Sequence, residues 1–560
     1  MKKFEMSFQA NWKCYIRTFD TTSGESNIHE LPSKYESFVQ DSAGTFQSFY
    51  KPEIRYRKVL SDFKTAKQNI GMVSPIDIVI RDQFSGLGTY NANPRVFYLD
   101  IETRTGTVSQ GFPKAENAVE PVCLIQIKDS ATDQIYIIGD KEFYFEKYYM
   151  QLPDVKDEKV QYLQCQSENQ IFETFFNLIK ALKPLIVYAW NAEGFDFPYL
   201  FNRSKKLGFD VNRFSPFAEK FGATITKLDE KEMHGKYFAK LTSAGIHYVD
   251  MINVYKKFIL APRESYSLMS IAIFELNCRK VGHSEFRTFD DFYQGNWKKP
   301  KDPMPEEQDT LCYKLNEKGT PYDVIQKAGY GQFVYYGIKD VVLICALDRK
   351  LGLTKLMVSV AEKQSSQLVD VLGTTKPWGN AIRNKLYKLQ KVINPLDTHP
   401  NPDGPVTGGY VREPLTNKQE WVISADVNSM YPILAIAGSK MSPENFIHAR
   451  DLPDCPLKTF VYKELKIGTY QEQNEENMLN LMKDPEKVQQ LSTMLKEHNY
   501  SMAPNGVFFD LSKDAVIPDM VKDIYQERKT AKKEMIKAEQ TVKAIQAEIQ
   551  QRKELINEIP

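Results

Sequence analysis

Arg95-Val96-Phe97-Tyr98-Leu99-Asp100-Ile101-Glu102 is the stretch on which the fold turns. Val96 to Leu99 is a short apolar run that reads as a buried strand. Leu124 to Ile127 and Ile135 to Ile138, joined across Asp129 to Asp133, read as a hairpin behind it. Ser167 and Gln170 form a capping box, and Ile171, Phe172, Phe175, Phe176, Ile179 and Leu182 follow at helical spacing before the apolar run Leu185 to Ala189. Three strands, a helix and a strand make an α/β order.

Outside this core, residues 1–94 mix short strand-like runs such as Ile76 to Ile80 with polar loops, ending in the turn-rich Gly86-Leu87-Gly88-Thr89. Residues 350–395 are helical in pattern, interrupted by Pro377. A Pro, Asn, Asp and Gly-rich loop from Asn394 to Gly409 marks a boundary, so a new domain begins near Gly408. After Pro518 turn signals nearly vanish, and Met535, Val542, Ile549 and Ile556 recur every seven residues, which predicts one long helix with an unpaired stripe.

With 560 residues the chain is several domain-lengths long, at roughly 150 residues per domain. Apolar residues at 42% and charged residues at 26% exclude disordered, collagen-like and membrane classes. Lys plus Arg total 73 against 72 for Asp plus Glu, so a polyanion site has to be local. Seven scattered cysteines without a Cys-x-x-Cys pair indicate reduced thiols rather than a disulfide framework or zinc ribbon. No export signal and no membrane helix are expected.

Asp100 and Glu102 are two apart at a strand end, so both side chains emerge on one face and can share a divalent cation. Taken alone, such a pair is a solvated loop far more often than a metal site. Asn191-Ala192-Glu193-Gly194-Phe195-Asp196 follows the fourth strand, where α/β sheets place their site loops, and adds a carboxylate. Tyr336 and Asp340, four apart in a helix expected over Val334–Leu351, share a helix face. Two Mg²⁺-type ions held by Asp100, Glu102, Asp196 and Asp340 can activate a water and stabilise the leaving oxygen of a phosphodiester, with Tyr336 orienting that water.

Asp100-Ile101-Glu102, Asn191 to Asp196 and Tyr336 to Asp340 resemble, in order, the three motifs of the proofreading 3'-5' exonuclease domain of family B DNA polymerases. Asp250-Met251-Ile252-Asn253-Val254-Tyr255-Lys256-Lys257-Phe258 and Ser265-Tyr266-Ser267-Leu268 are similar to the polymerases of T-even-like bacteriophages. The resemblance implies an RNase H-like α/β exonuclease in an α/β multidomain chain. Its implied domains are 1–94 (N-terminal domain, first part), 95–350 (exonuclease), 351–397 (return segment of the N-terminal domain), 398–516 (palm, first part) and 517–560 (first fingers helix). It also implies two Mg²⁺ per active site, with Mn²⁺ as a substitute, and a location in the cytoplasm of the infected bacterial host.

Trp421-Val422-Ile423-Ser424-Ala425 reads as a strand leading into Asp426-Val427-Asn428-Ser429-Met430-Tyr431-Pro432, which resembles the first palm motif of the same family. By that resemblance Asp426 and the Val427 carbonyl ligate metal. Ser429 binds triphosphate beside Met430, and Tyr431 stacks under the sugar. Gly408-Gly409-Tyr410 resembles the family's glycine motif that approaches template phosphates. Ala503 to Phe509 and Val516-Ile517-Pro518 resemble the entry to the fingers, where Arg528 and Lys532, one helical turn apart, would clamp nucleotide phosphates.

The family's second catalytic aspartate, second fingers helix and thumb have no counterpart between Asp426 and Pro560. The expectation is therefore the N-terminal subunit of a split DNA-directed DNA polymerase with resident exonuclease. Its partners would be primer-template DNA, dNTPs and a C-terminal subunit, with a sliding clamp and a single-stranded DNA-binding protein as further candidates. Two alternatives stand beside it: a standalone exonuclease of the four-carboxylate type, and a non-catalytic nucleic-acid-binding regulator.

Overall fold

The computed structural model describes all residues other than 11–12, 50–52, 109–110, 144–156, 222–224, 234, 299–321, 394–412, 414–416, 419, 427–428, 438–439, 467–470, 504–505, 514 and 558–560. The chain forms two units. One comprises 1–36, 60–64 and 73–381; the other comprises 37–59, 65–72 and 382–560.

The first unit opens with an antiparallel sheet of β1 (Lys2–Ala10), β2 (Lys13–Asp20) and β3 (Glu25–Glu30). Arg17, 1% exposed, fixes this sheet to the unit. It pairs with Glu5 at 2.7 Å and donates to the carbonyls of Lys183, Pro184 and Gly245. The run Ile76 to Ile80 is helical rather than extended, a correction to the strand-like reading: it lies in α1 (Pro75–Gln83). Ser74 caps that helix by accepting from the Asp77 N–H, and Pro75 supplies a first-turn φ.

The unit's main sheet has eight strands: β8 (Val96–Thr103), β9 (Val122–Asp129), β10 (Gln134–Gly139), β11 (Lys159–Gln164), β12 (Ile186–Ala189), β13 (Thr226–Met233), β14 (Lys236–Ser243) and β15 (Ile246–Asp250). Their spatial order is β11-β10-β9-β8-β12-β15-β14-β13. β9 and β10 form the expected hairpin, which β8 joins antiparallel, whereas β12 runs parallel to β8, and β15 parallel to β12. The central strands are buried on both faces, which explains their continuous apolar runs.

Helix α2 (Glu168–Leu182) covers one face, burying Phe172, Phe175 and Phe176 against Phe97, Leu99, Ile125 and Ile127. Each such ring contributes about 1.5–3 kcal/mol by burial. Ser167 caps α2 through the Gln170 N–H, while the Gln170 side chain reaches back to the Gln166 N–H. Helix α6 (Tyr322–Leu351) covers the other face, against Val96, Tyr98, Leu124 and Ile137; between them in chain order lie α3 (Asp196–Lys206), α4 (Met251–Phe258) and α5 (Leu268–Leu276). Because side chains alternate along a strand, the Val96 and Tyr98 face continues into Asp100 and Glu102, which therefore point toward α6.

The second unit holds a sheet of β4 (Tyr35–Gln40), β5 (Phe46–Ser48), β6 (Arg55–Ser61), β7 (Ile70–Val73) and the late strand β16 (Lys391–Val392), in the order β16-β5-β6-β4-β7. It also holds α7 (Met430–Ala437), a three-stranded sheet of β17 (Phe446–Ile447), β18 (Tyr500–Met502) and β19 (Phe508–Asp510), and α8 (Val516–Asn557). The long final helix is thus found. Its Met535, Val542 and Ile549 are 52%, 51% and 48% exposed; the side chain of Ile556 lies outside the described residues.

Candidate active site

Three elements deliver the acidic side chains of the first unit. The end of β8 presents Asp100 and Glu102, the first turn of α3 presents Asp196, and α6 presents Tyr336 and Asp340. Glu102, Asp196 and Asp340 are buried, and all four carboxylates act electrostatically on one another. The structure thereby brings together the five residues singled out from the sequence.

The proton affinities report that crowding. Burial, then the charges of Asp340, Glu102 and Asp196, holds the Asp100 carboxyl well above its usual range. Burial and Asp340 do the same to Glu102. Burial pushes Asp196 up to about 7 and Asp340 up to about 6, Lys280 opposing the rise at Asp340. Burial, Glu102 and Asp340 keep the Tyr336 phenol protonated far above neutrality, so it serves as a hydrogen-bonding group and not as a base.

Lys280, which nothing in the local sequence marks, supplies the counter-charge. Its ammonium lies 2.5 Å from Asp340 Oδ2 and donates to the Tyr336 hydroxyl at 3.0 Å. Burial works against its charge, but Asp340, Tyr336 and Asp100 together hold it protonated. Gln126 is a second residue missed from sequence. It sits opposite Asp100 in the β8–β9 ladder, fully buried, with both amide atoms lacking hydrogen-bond partners. A Cβ on Gly337, between Tyr336 and Asp340, would fall 1.8 Å from Gln126 Nε2, so only glycine lets α6 approach here. Phe112 is a third: 77% exposed, it packs at 5.4 Å on Phe195, the residue before Asp196.

Buried, mutually repelling carboxylates suit a hard divalent cation with oxygen ligands. Glu102 Oε1 and Asp340 Oδ1 are buried without a hydrogen-bond partner, so each has ligand capacity to spare. Asp340 divides its oxygens between Lys280 and that free position. Among the described residues no three acidic, histidine or cysteine side chains already close into a cage. The donor chemistry fits a cation, which Asp100, Glu102, Asp196 and Asp340 would hold.

In the second unit, Trp421 to Asp426 is exposed and forms no strand, contrary to the sequence reading; Trp421 is 97% and Ile423 93% exposed. Among the described residues no strand pairs with this stretch, and an isolated strand leaves its backbone groups unpaired. Ser429, at φ 55°, leads into α7, where Met430 and Tyr431 are exposed. Arg528 on α8 donates to Ser429 Oγ at 3.2 Å across 99 residues of sequence, so two expected phosphate-binding residues meet. Lys532 lies exposed one turn along α8, and Asp426 is exposed. Val427, Gly408, Gly409 and Tyr410 lie outside the described residues. No helix among the described residues is long and apolar enough to cross a membrane.

Residues 37–271 match the family model described as DNA polymerase family B, exonuclease domain, a span that includes Asp100, Glu102 and Asp196 and stops short of Tyr336 and Asp340. The chain is 25% identical to the DNA-directed DNA polymerase of Escherichia phage RB69, over 96% of this chain and 55% of that protein. It is also 25% identical to the DNA-directed DNA polymerase of Enterobacteria phage T4, over 69% of this chain and 35% of that protein. A DNA polymerase of Pyrococcus horikoshii is 22% identical over 50% of this chain and 19% of its own length. The chain thus spans at most about half the length of these curated relatives.

Proposed function

We propose, from the premise that this chain carries an RNase H-like exonuclease domain of DNA polymerase family B, that its first unit hydrolyses single-stranded DNA from the 3' end. The observation that carries the reading is the convergence of Asp100, Glu102, Asp196 and Asp340 beside Tyr336 and Lys280. Two divalent cations of the Mg²⁺ type, with Mn²⁺ as a substitute, would there activate water and stabilise the leaving oxygen.

The chain's own residues do the rest. Asp100, Glu102, Asp196 and Asp340 bind the cations. Tyr336 orients the attacking water through its hydroxyl, itself held by Lys280. The protonated Lys280 offsets negative charge that builds up at the phosphate. The exposed ring of Phe112, buttressed by Phe195, offers a face for stacking a terminal base. Single-stranded oligonucleotide with Mg²⁺ tests the reading: the chain shortens it from the 3' end, and Asp100→Ala with Glu102→Ala abolishes this. Unchanged shortening by that double variant would overturn it.

The second unit, in this reading, holds part of a polymerase palm and fingers. Asp426 and the Val427 carbonyl bind metal, and Ser429, Met430, Tyr431, Arg528 and Lys532 bind dNTP. Gly408 to Tyr410 touch primer-template. Support comes from the Ser429–Arg528 contact and from the exposed stripe of Met535, Val542 and Ile549 along α8, which suits an opposing helix. Synthesis would need a second metal-binding aspartate, a second fingers helix and a thumb, supplied by a polypeptide that carries them. Primer extension that appears only on adding such a chain supports this requirement; extension by this chain alone refutes it.

A further inference from the structure

Helix α3, which starts at Asp196, has no side-chain cap of its own: its N-cap position is Phe195, which makes no capping bond. Its entry must be fixed from elsewhere, because a helix end without a cap frays. The turn before it is tight. Asn191 has φ 63°, and its carbonyl accepts from the Gly194 and Phe195 N–H groups at 3.0 and 3.1 Å. A Cβ on Gly194 would lie 2.9 Å from Asn191 Oδ1.

Glu193 is the point where the sheet grips that turn. Its carbonyl accepts the Ala239 N–H of β14 at 2.8 Å, and its N–H donates to Asp250 Oδ2 at 3.1 Å. Asp250 ends β15 directly beside Ala189, the last residue of β12, and is 5% exposed. Its other oxygen, Oδ1, accepts the Ile252 N–H at 2.9 Å and so caps α4. One buried carboxylate thus serves two clients with separate oxygens: the helix that follows it and the turn that delivers Asp196.

We infer that Asp250 is a positioning residue for the exonuclease reaction, which acts by holding the Asn191–Phe195 turn and with it the Asp196 carboxylate at the cation site. The inference rests on the exonuclease reading above. It separates Asp250 from an ordinary helix cap, because the carboxylate that caps α4 also reaches the turn that delivers Asp196.

Two substitutions in the full chain divide those roles. Asp250→Ser retains a good cap for α4 but is too short to hold Glu193 as well, and Asp250→Asn keeps a single acceptor oxygen. Both variants should lower kcat on single-stranded DNA by about tenfold to a hundredfold, the loss that small misplacements of a catalytic group cause. KM for the oligonucleotide should hold, and Mn²⁺ affinity measured by titration without DNA should weaken about tenfold, the effect of lost outer-shell support. The midpoint of thermal unfolding should fall by no more than a few degrees, from the weakened Glu193 N–H bond. Wild-type kcat and Mn²⁺ affinity in both variants would overturn the inference, as would losses that only track a fall in the unfolding midpoint. Should the wild-type chain fail to degrade DNA, the exonuclease reading falls, and the Mn²⁺ titration of the variants still decides whether Asp250 positions the acidic site.

Discussion

Lys280 and Asp340, 60 residues apart in sequence, form a partly buried ion pair of 2.5 Å in which Asp340 commits one oxygen and leaves the other unpaired. The pair makes the acidic site tolerable without a cation and still leaves ligand capacity within it.

Replacing Lys280 by Met should therefore act on chemistry more than on DNA binding. The four carboxylates lose their counter-charge, and Tyr336 loses the donor that orients its hydroxyl. We expect kcat of DNA hydrolysis to fall about a hundredfold, in the range for removal of one preorganised electrostatic group, with KM little changed. Steady-state kinetics on a short oligonucleotide check this.

Gly337→Ala should be destabilising, since its Cβ would sit 1.8 Å from Gln126 Nε2 and 2.5 Å from Gln126 Cδ. Overpacking of this kind costs about 1–3 kcal/mol. Adding Gln126→Ala should recover most of the loss by clearing the space. Calorimetric scans of the two single variants and the double variant would reveal the coupling.

Cation binding should weaken as the pH is lowered from 7 to 6. Asp196 and Asp340 hold protons up to about 7 and about 6, so within that window a cation must displace them. Each proton displaced weakens apparent affinity about tenfold per pH unit. Mn²⁺ titrations at several pH values measure the slope, and a flat profile would refute it.

His247, 6% exposed in β15, ties pH to folding. Burial, reinforced by Arg17 and Lys240, depresses its pKa from the ordinary value to about 3. A depressed histidine binds fewer protons folded than unfolded, so its contribution is intact above pH 6.5 and is lost as the pH falls toward 3. His247→Gln should reduce the acid-side slope of stability by up to about 1.4 kcal/mol per pH unit. Denaturant melts at pH 4, 5 and 6 would test it.

The core of the first unit was legible because its signals are local. Period-two alternation from Val96 set Asp100 and Glu102 on one face, and the spacing of Phe172, Phe175 and Phe176 announced α2. Strands β13 and β14 carry little signal, because β13 is rich in charge and two-strand pairing at a sheet edge leaves little hydrophobic pattern. Ile76 to Ile80 misleads because an apolar run fits either period, and it is the Ser74-Pro75 start that decides for helix. Trp421 to Asp426 misled because an apolar run forms a strand only where another strand accepts its hydrogen bonds. Lys280, Gln126 and Asp250 face Asp340, Asp100 and Glu193, all far away in the chain, so no window of sequence discloses what they meet.

The guanidinium of Arg17 has a consequence for dissecting the molecule. Cutting the chain at Arg95, where the central sheet starts, would strip three carbonyls of their donor at the base of that sheet. Each stranded acceptor costs about 1–3 kcal/mol if it stays dry. Phe4, Ile16 and Tyr90, which belong to the core that α6 caps, would leave with the same cut. The opening three-stranded sheet is thus a keel for the eight-stranded one, and a trimmed first unit that folds should need the first thirty-odd residues supplied, even as a separate peptide.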